Sequence, residues 1–145
     1  TELNNIIITL KPLYTKNGFY IESEIEDNIE IKMDKDKLKQ IMYNLLSNSI
    51  KYLNGDGKVL VILKKDETNA IIKIIDNGIG IEEKNLPLIF NRFYRADISI
   101  NKSTNGTGLG LPIVKSIVDA HKGTININSK YGEWTEVIIT LPLNI

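Results

Sequence analysis

Apolar residues recur at helical spacing in two parts of the chain. Near the start they are Leu3, Ile6, Ile7, Leu10 and Leu13. This spacing predicts a helix. We expect Pro12 to kink or interrupt that helix, and residues 16–18, KNG, to end it.

The second repeat predicts a longer and better specified helix. Its broad apolar face carries Leu38, Ile41, Met42, Leu45, Leu46, Ser49, Ile50 and Leu53. Asp34 or Asp36 is available as the N-cap, because a short carboxylate side chain can accept from the first free backbone N–H groups. Residues 54–57, NGDG, should then end the helix and turn the chain.

Runs rich in β-branched residues, or with alternating polarity, predict strands in the rest of the chain. They cover residues 19–26, 58–65, 69–76, 123–130 and 136–143. Residues 66–68, DET, join the second run to the third as a hairpin, and residues 131–133, YGE, form the turn between the last two. A short helix near residues 82–90, a long polar loop over 91–108 and an apolar helix over 111–120 complete the pattern. This order predicts an α+β fold, with helices on one face of a largely antiparallel or mixed sheet.

Composition changes this picture mainly by exclusion. The 145 residues suit one domain with a sizeable core, and the absence of cysteine excludes disulfides and thiolate metal sites. The formal net charge is +0, so the chain has no overall field for nucleic acid or an anionic membrane. No apolar run approaches the length of a membrane-spanning helix, and the start lacks the features of a signal peptide. The chain also begins without Met, which suits a piece excised from a longer protein.

Three polar residues, Asn44, Asn48 and Lys51, form a stripe on the second helix, roughly opposite its apolar face, with Tyr52 at the edge. A solvated helix face explains such a stripe on its own. Two asparagines in mid-helix are nevertheless unusual, since asparagine is a weak helix former. Amide oxygens can ligate Mg²⁺ and a lysine can meet a phosphate, so a binding role is the functional alternative.

One predicted strand ends in the sequence DNGIG, which contains Asp76, Gly78 and Gly80. A simple Asn-Gly turn is one explanation. In the other, Asp76 follows the apolar run AIIKII, is partly buried, and directs its carboxylate into a pocket. A buried carboxylate is costly unless its oxygens find donors, and the amino group of an adenine is such a donor.

Glycines alternate at Gly106, Gly108 and Gly110, directly before the last predicted helix. Because a glycine-rich turn at a helix N-terminus exposes backbone N–H groups and the positive end of the helix dipole, it suits a phosphate group. The pattern is weak on its own. It is not a Walker A loop, since no Gly-Lys-Ser/Thr sequence follows, and no strand immediately precedes it as in a Rossmann unit.

The Asn-rich helix, DNGIGI, IFNRFYRAD and GTGLGLPIVKSIVDAHKG follow one another in this order. This set resembles the nucleotide-binding catalytic domain of sensor histidine kinases, in the GHKL superfamily shared with gyrase, heat-shock protein 90 and the mismatch-repair ATPases. The resemblance covers nearly the whole chain as one domain, residues 1–145, with residues 1–17 as the helix that follows an absent dimerisation and phosphoacceptor domain. It implies the Bergerat fold, a two-layer α/β sandwich whose mixed, mostly antiparallel five-stranded sheet is covered on one face by about three helices. It also implies that ATP and Mg²⁺ bind under a mobile lid.

Roles for the residues of the first two motifs follow from the same resemblance. Asn48 would bind Mg²⁺, while Asn44 would support the metal or the phosphates and Lys51 would face the phosphates. Tyr52 would pack against the adenine, and Asp76 would accept a hydrogen bond from its amino group. The remaining implied nucleotide contacts are Gly78, Gly80, Ile81, Phe90, Gly106, Thr107, Gly108, Leu109, Gly110, Leu111 and Thr140.

Within that set, the resemblance implies that Gly78 and Gly80 let the backbone approach the base, and that Thr140 lies near the adenine. A phenylalanine box from which an arginine reaches the γ-phosphate is matched by Phe90, Arg92, Phe93 and Arg95. The implied catalytic residues are Asn44, Lys51, Arg92 and Arg95.

The residue one helical turn before Asn48 favours phosphoryl transfer over hydrolysis. In gyrase-like members a glutamate there activates water, whereas this chain has Asn44, and an amide cannot act as a general base. The implied function is therefore to bind Mg-ATP and to donate the γ-phosphoryl group to a histidine on a separate dimerisation domain, in a two-component system with a response regulator downstream. His121, the one histidine of the chain, is expected to be structural.

Three alternatives stay open, namely a hydrolytic GHKL ATPase, an anti-sigma-type serine kinase, and a nucleotide-binding regulatory module without activity. Under the favoured interpretation the isolated domain is monomeric and inactive alone, and its parent protein is a homodimer. We expect no contact with nucleic acid or with a membrane. The resemblance implies a cytoplasmic domain and leaves open whether the parent protein is membrane-anchored.

Overall fold

The computed structural model describes residues 2–53, 55–79 and 110–143. These residues form three helices and five strands. The helices are α1 (Glu2–Lys16), α2 (Lys35–Tyr52) and α3 (Gly110–Ala120). The strands are β1 (Tyr20–Ile25), β2 (Lys58–Lys65), β3 (Asn69–Asp76), β4 (Thr124–Lys130) and β5 (Trp134–Pro142). The short helix and the long loop predicted between residues 82 and 108 lie outside the described residues.

The strands form one five-stranded sheet in the order β1-β2-β3-β5-β4. Strand β1 runs parallel to β2, with helix α2 as the connection between them, and the other neighbouring pairs are antiparallel. The DET and YGE turns join β2 to β3 and β4 to β5, as predicted. The prediction of an α+β fold with a mixed, mostly antiparallel five-stranded sheet is therefore confirmed.

One face of the sheet carries the core, because side chains alternate between the two faces of a strand. On β2, β3 and β5 the residues that face the helices are buried, while their neighbours along each strand are only partly covered. Register places Val61 opposite Ile74 and Ile74 opposite Val137, so these buried residues form continuous rows. They join one apolar cluster with helix residues such as Ile6 and Met42.

Helix ends follow the sequence signals with one exception. Asp34 is the N-cap of α2, where its carboxylate accepts from the backbone N–H of Asp36 at 3.1 Å. Of the two effects predicted for Pro12, a kink or an interruption, the interruption does not occur, because α1 continues through Pro12 to Lys16. Pro12 and Ile8 are both exposed. The Ile8 carbonyl, which loses the N–H that a non-proline residue would offer, can therefore bond to water.

Gly123 connects α3 to β4 where two backbone segments come close together. Its N–H donates to the Val118 carbonyl at 2.9 Å and so closes the end of the helix. A Cβ at this position would overlap the backbone carbonyl oxygen of Thr140 and would lie 2.8 Å from the Leu141 side chain. The restriction comes from β5 itself, which cannot move without disturbing the sheet.

We expect Gly123→Ala to lower the free energy of unfolding by about 1–3 kcal/mol, since an added methyl group in a packed site forces backbone shifts. Denaturant unfolding followed by circular dichroism measures this change. Ser116→Ala, at an exposed position of α3, is the matched control and should change the free energy of unfolding by less than about 0.5 kcal/mol. Equal stability of Gly123→Ala and the control would contradict the close approach.

Candidate functional site

Asp76 is the one charged side chain that is buried among the described residues, with 8% of its surface exposed. It is the last residue of β3 and continues the buried row that contains Ile72 and Ile74. Its Oδ1 accepts a hydrogen bond from the backbone N–H of Gly78 at 2.9 Å. The other carboxylate oxygen has no hydrogen-bond partner within the described residues. Asp76 is therefore a hydrogen-bond acceptor at the end of a buried strand, and one of its oxygens has no partner within the described residues.

The environment of Asp76 disfavours its charge. Burial raises the pKa of this carboxyl from 3.8 to about 6, and the N–H of Gly78 offsets part of that rise. The free domain therefore carries a costly group that a donor from a ligand would stabilise. Such a donor would bond to the carboxylate oxygen that has no partner within the described residues.

Backbone and side-chain hydrogen bonds hold the segment around Asp76 in place. The Asn77 carboxamide oxygen accepts from the Lys58 N–H at 2.8 Å, and its amide group donates to the Asp56 carbonyl at 3.3 Å. The Ile79 carbonyl accepts from the N–H of Gly132 in the β4–β5 turn. The Asn-Gly step is therefore more than a simple exposed turn, because Asn77 joins it to the segment between α2 and β2.

Helix α2 supplies the second part of the candidate site. Asn44 and Asn48 lie one helical turn apart, and both are half-buried. No side chain from residue 41 to residue 50 is exposed, since α2 packs against α1, α3 and the sheet. These two residues are therefore less exposed than the side chains of a fully solvated helix face.

Neither asparagine amide has a hydrogen-bond partner within the part of the chain that the structure describes. Each oxygen is thus available as a metal ligand or as an acceptor. The main chain of Lys51 and Tyr52 continues α2, as the predicted stripe requires. No group of three or more His, Cys, Asp or Glu side chains among the described residues could hold a metal ion. Amide oxygens are among the ligands that suit Mg²⁺.

Thr140 is not brought to Asp76, contrary to the expectation from the resemblance. Along β5 the odd-numbered residues Val137 and Ile139 face the core, so Thr140 lies on the opposite face of the sheet. Its partner on β3 is Ile71, five positions from Asp76 along the strand. The prediction that Thr140 lies near the adenine site is therefore wrong in register and in face.

Thr135 occupies the place that was expected for Thr140. It is the β5 partner of Asp76 and lies on the same face of the sheet. Its Oγ1 is 3.1 Å from Oγ of Ser129 on β4, and the side chain is half-buried. The two turns join β2 to β3 and β4 to β5, so they do not fix the register of β3 with β5, and only the assembled sheet identifies Thr135.

Helix α3 begins at Gly110, so the last glycine of the alternating repeat is the first helical residue. This agrees with the prediction that the repeat leads into a helix, and the main chain of Leu111 continues it. The other predicted site residues lie outside the described residues. They are Gly80, Ile81, Phe90, Arg92, Phe93, Arg95, Gly106, Thr107, Gly108 and Leu109.

His121 lies at the end of α3 and is half-buried. Its Nδ1 is 2.7 Å from the Ile117 carbonyl oxygen, which makes it a donor in the tautomer that satisfies this contact. This arrangement agrees with a structural role.

Among the described helices none is both long and apolar enough to cross a membrane.

Comparison with protein families and relatives gives a consistent result. The model of a family described as "Histidine kinase-, DNA gyrase B-, and HSP90-like ATPase" matches residues 33–145. The chain is 39% identical over 143 residues to the sensor protein kinase WalK of Staphylococcus aureus (strain MRSA252) and 37% identical to that of Staphylococcus saprophyticus. These alignments cover 97% of this chain but only 24% and 23% of the relatives, so the chain spans about a quarter of their length.

Solved structures share the fold along nearly the whole chain. A mycobacterial sensor histidine kinase, MprB, has a TM-score of 0.84 and 26% identity, covering 98% of this chain and 93% of that one. Full-length ShkA in complex with AMPPNP has a TM-score of 0.85 at 24% identity, covering 98% of this chain and 29% of that one. The second likeness concerns the fold alone.

Replacing Asp76 with asparagine should make the nucleotide-free domain more stable at pH 7, because it removes a buried charge. Since the pKa of Asp76 is about 6 when folded and near 3.8 when unfolded, ionisation costs the folded state free energy above pH 6. We expect Asp76→Asn to raise the free energy of unfolding at pH 7 by on the order of 1–3 kcal/mol. As pH falls from about 6 to about 4, the wild-type carboxyl becomes protonated and the difference should shrink.

Urea unfolding at several pH values measures this difference. Asp66→Asn is the control of opposite sign, because the backbone N–H groups of Thr68 and Asn69 lower the pKa of the exposed Asp66 carboxyl. That variant should gain no stability at pH 7. A pH-independent effect of Asp76→Asn would show that the Asp76 carboxyl is not perturbed by burial.

Proposed function

We propose that this chain, which belongs to the histidine kinase-, DNA gyrase B- and HSP90-like ATPase family, is the ATP-binding catalytic domain of a sensor histidine kinase. It would bind ATP and donate the γ-phosphoryl group to a histidine on another domain. The observation that carries the proposal is the buried Asp76, which keeps one carboxylate oxygen unpaired within the described residues at the end of β3. The name of the relatives, sensor protein kinase, supports the same function.

Recognition of the base follows from the geometry at Asp76. The ionised carboxylate accepts from Gly78 through one oxygen and can accept from the exocyclic amine of adenine through the other. The hydrogen bonds of Asn77 hold this acceptor in position before the ligand arrives. Thr135 lies beside it on β5 with a hydroxyl that can donate or accept. Preorganised polar groups of this kind give specificity, because a ligand without the matching donor leaves the carboxylate unpaired.

The phosphate end of the nucleotide would lie along the polar side of α2. Asn48 would hold Mg²⁺ through its amide oxygen and Asn44 would support the metal or the phosphates, which fits two half-buried amides without partners in the described residues. Mg²⁺, when bound, would neutralise charge on the phosphates. Lys51 would face the same phosphates one turn further along the helix. Gly110, at the N-terminus of α3, suits a position near phosphate.

The residues outside the described part of the chain would complete the site. On the basis of the resemblance, we propose that Gly106, Gly108 and Gly110 form the phosphate-facing hinge of a lid and that Thr107 and Leu109 contact the nucleotide. An arginine of the phenylalanine box, Arg92 or Arg95, would reach the γ-phosphate and stabilise charge as the phosphoryl group transfers.

Transfer is favoured over hydrolysis because α2 offers no general base one helical turn before Asn48. The residue one turn earlier is Asn44, whose amide cannot take a proton from water. The acceptor would be a histidine on a dimerisation domain of the same parent protein, and a response regulator would act downstream. His121 keeps the structural role expected for it, since its Nδ1 bonds to the Ile117 carbonyl at the end of α3. We propose a cytoplasmic location for this domain and a homodimeric parent protein.

Isothermal titration with a non-hydrolysable ATP analogue tests the metal end of this site. With Asn48→Ala we expect the affinity for the analogue in the presence of Mg²⁺ to fall at least roughly tenfold, because a metal ligand is removed. Adding Mg²⁺ should then increase the affinity of the variant only slightly. Affinity measured without Mg²⁺ should change little. Asn126→Ala, at an exposed position of β4, is the matched control and should behave like the wild type.

Incubation with radiolabelled ATP distinguishes transfer from hydrolysis. The chain alone should release almost no phosphate, and label should appear on a histidine only when the parent protein's histidine-bearing domain is added. Rapid phosphate release by the chain alone would contradict a kinase and support a hydrolytic ATPase. Binding without either reaction would support a regulatory module.

A further inference from the structure

Tyr14 is a fully buried phenol that the proposed mechanism does not use. It lies in the last turn of α1 and has 0% of its surface exposed. Its hydroxyl donates to the backbone carbonyl of Leu46 on α2 at 2.6 Å, across 32 positions of sequence. The side chains of Thr9, Thr15 and Asn17, by contrast, bond to carbonyls four residues earlier in α1.

The acceptor of this bond lies in the turn of α2 that carries Asn44 and Asn48. Leu46 stands between Asn44 and Asn48, two positions from each. In an α-helix its carbonyl already accepts from the N–H four residues later, so the phenol occupies the second lone pair. Apolar contacts between α1 and α2 permit small shifts of one helix along the other, whereas a directional hydrogen bond fixes their relative position. The hydroxyl therefore defines where the Asn44–Asn48 turn stands with respect to α1.

A phenylalanine would fill the same space without burying a polar atom. The buried hydroxyl is costly unless it is bonded, so its presence needs a reason beyond packing. Burial raises the pKa of Tyr14 well above its ordinary value, and the nearby charge of Asp76 raises it further. The phenol therefore stays protonated and remains a donor at every physiological pH.

We propose that Tyr14 is a positioning residue of the nucleotide site, whose hydroxyl bond to Leu46 holds the Asn44–Asn48 turn of α2 in the geometry that Mg-ATP requires. This inference rests on the proposed function and assigns a role to α1, which precedes the segment matched by the family model. A displacement of α1 would reach the metal end of the site through this bond.

The Tyr14→Phe variant tests the role, because it removes the hydroxyl and keeps the ring. We measure dissociation constants for Mg-ATP analogue and for adenosine, at a temperature where thermal unfolding shows both proteins to be folded. Affinity for the Mg-ATP analogue should fall roughly three- to tenfold, the effect of losing one buried hydrogen bond. Affinity for adenosine, which depends on Asp76 and not on the asparagines, should change less than about twofold.

Ile6→Val is the matched control, since it removes one buried methyl group from the same helix without touching the hydrogen bond. It should lower thermal stability and leave the ratio of the two affinities unchanged. A merely structural role for Tyr14 predicts that Tyr14→Phe behaves like this control, or weakens both ligands equally, and either result would overturn the proposal. If the wild type itself fails to bind Mg-ATP, the proposed function fails instead.

A second measurement needs no variant. In the wild-type protein the hydroxyl proton of Tyr14 should be protected from exchange and visible by NMR, and its resonance should shift when Mg-nucleotide is added. Adenosine should shift it much less. A rapidly exchanging proton, or one that does not respond to Mg-nucleotide, would contradict the inference even if Tyr14→Phe were unstable.

Discussion

The carboxylate of Asp76, buried at the end of β3, is the constraint on which the rest of the candidate site depends. An apolar residue at this position would make the folded domain more stable than an aspartate does, and apolar residues do occupy the preceding buried positions of β3. The chain instead places a charged group beneath the helices, bonded through one oxygen to Gly78. Its raised pKa expresses the free energy that a suitable donor would recover. Such an arrangement is typical of a binding site and costly in a purely structural one.

Helix α2 connects this acceptor to the metal end of the site. From residue 41 to residue 50 none of its side chains is exposed, and the Asn44 and Asn48 amides are half-buried. Tyr14 adds a directional bond to the turn between them. In the proposed function this one helix would connect the sheet and the preceding helix α1 to the phosphate end of the nucleotide.

Much of the fold could be predicted from the sequence, because burial dictates periodicity. The apolar repeats located α1 and α2, and the β-branched runs located all five strands within a few residues. The interruption at Pro12 was wrong because an exposed helix face tolerates a missing N–H. Motif order identified Asp76, whereas Thr140 was misplaced because only the register of β3 with β5 decides which threonine faces Asp76. That register is a property of the assembled sheet, and Thr135 has no distinguishing signal in its own sequence.

The most direct test compares the affinities of ATP and inosine triphosphate for the wild-type chain. The two ligands share phosphates and sugar, but the base of inosine presents an oxygen where adenine presents an amino group. If Asp76 accepts from that amino group, inosine triphosphate should bind at least roughly tenfold more weakly, since two acceptors would face each other. Equal affinity for the two nucleotides would contradict the account, because the buried carboxylate would then play no part in recognising the base.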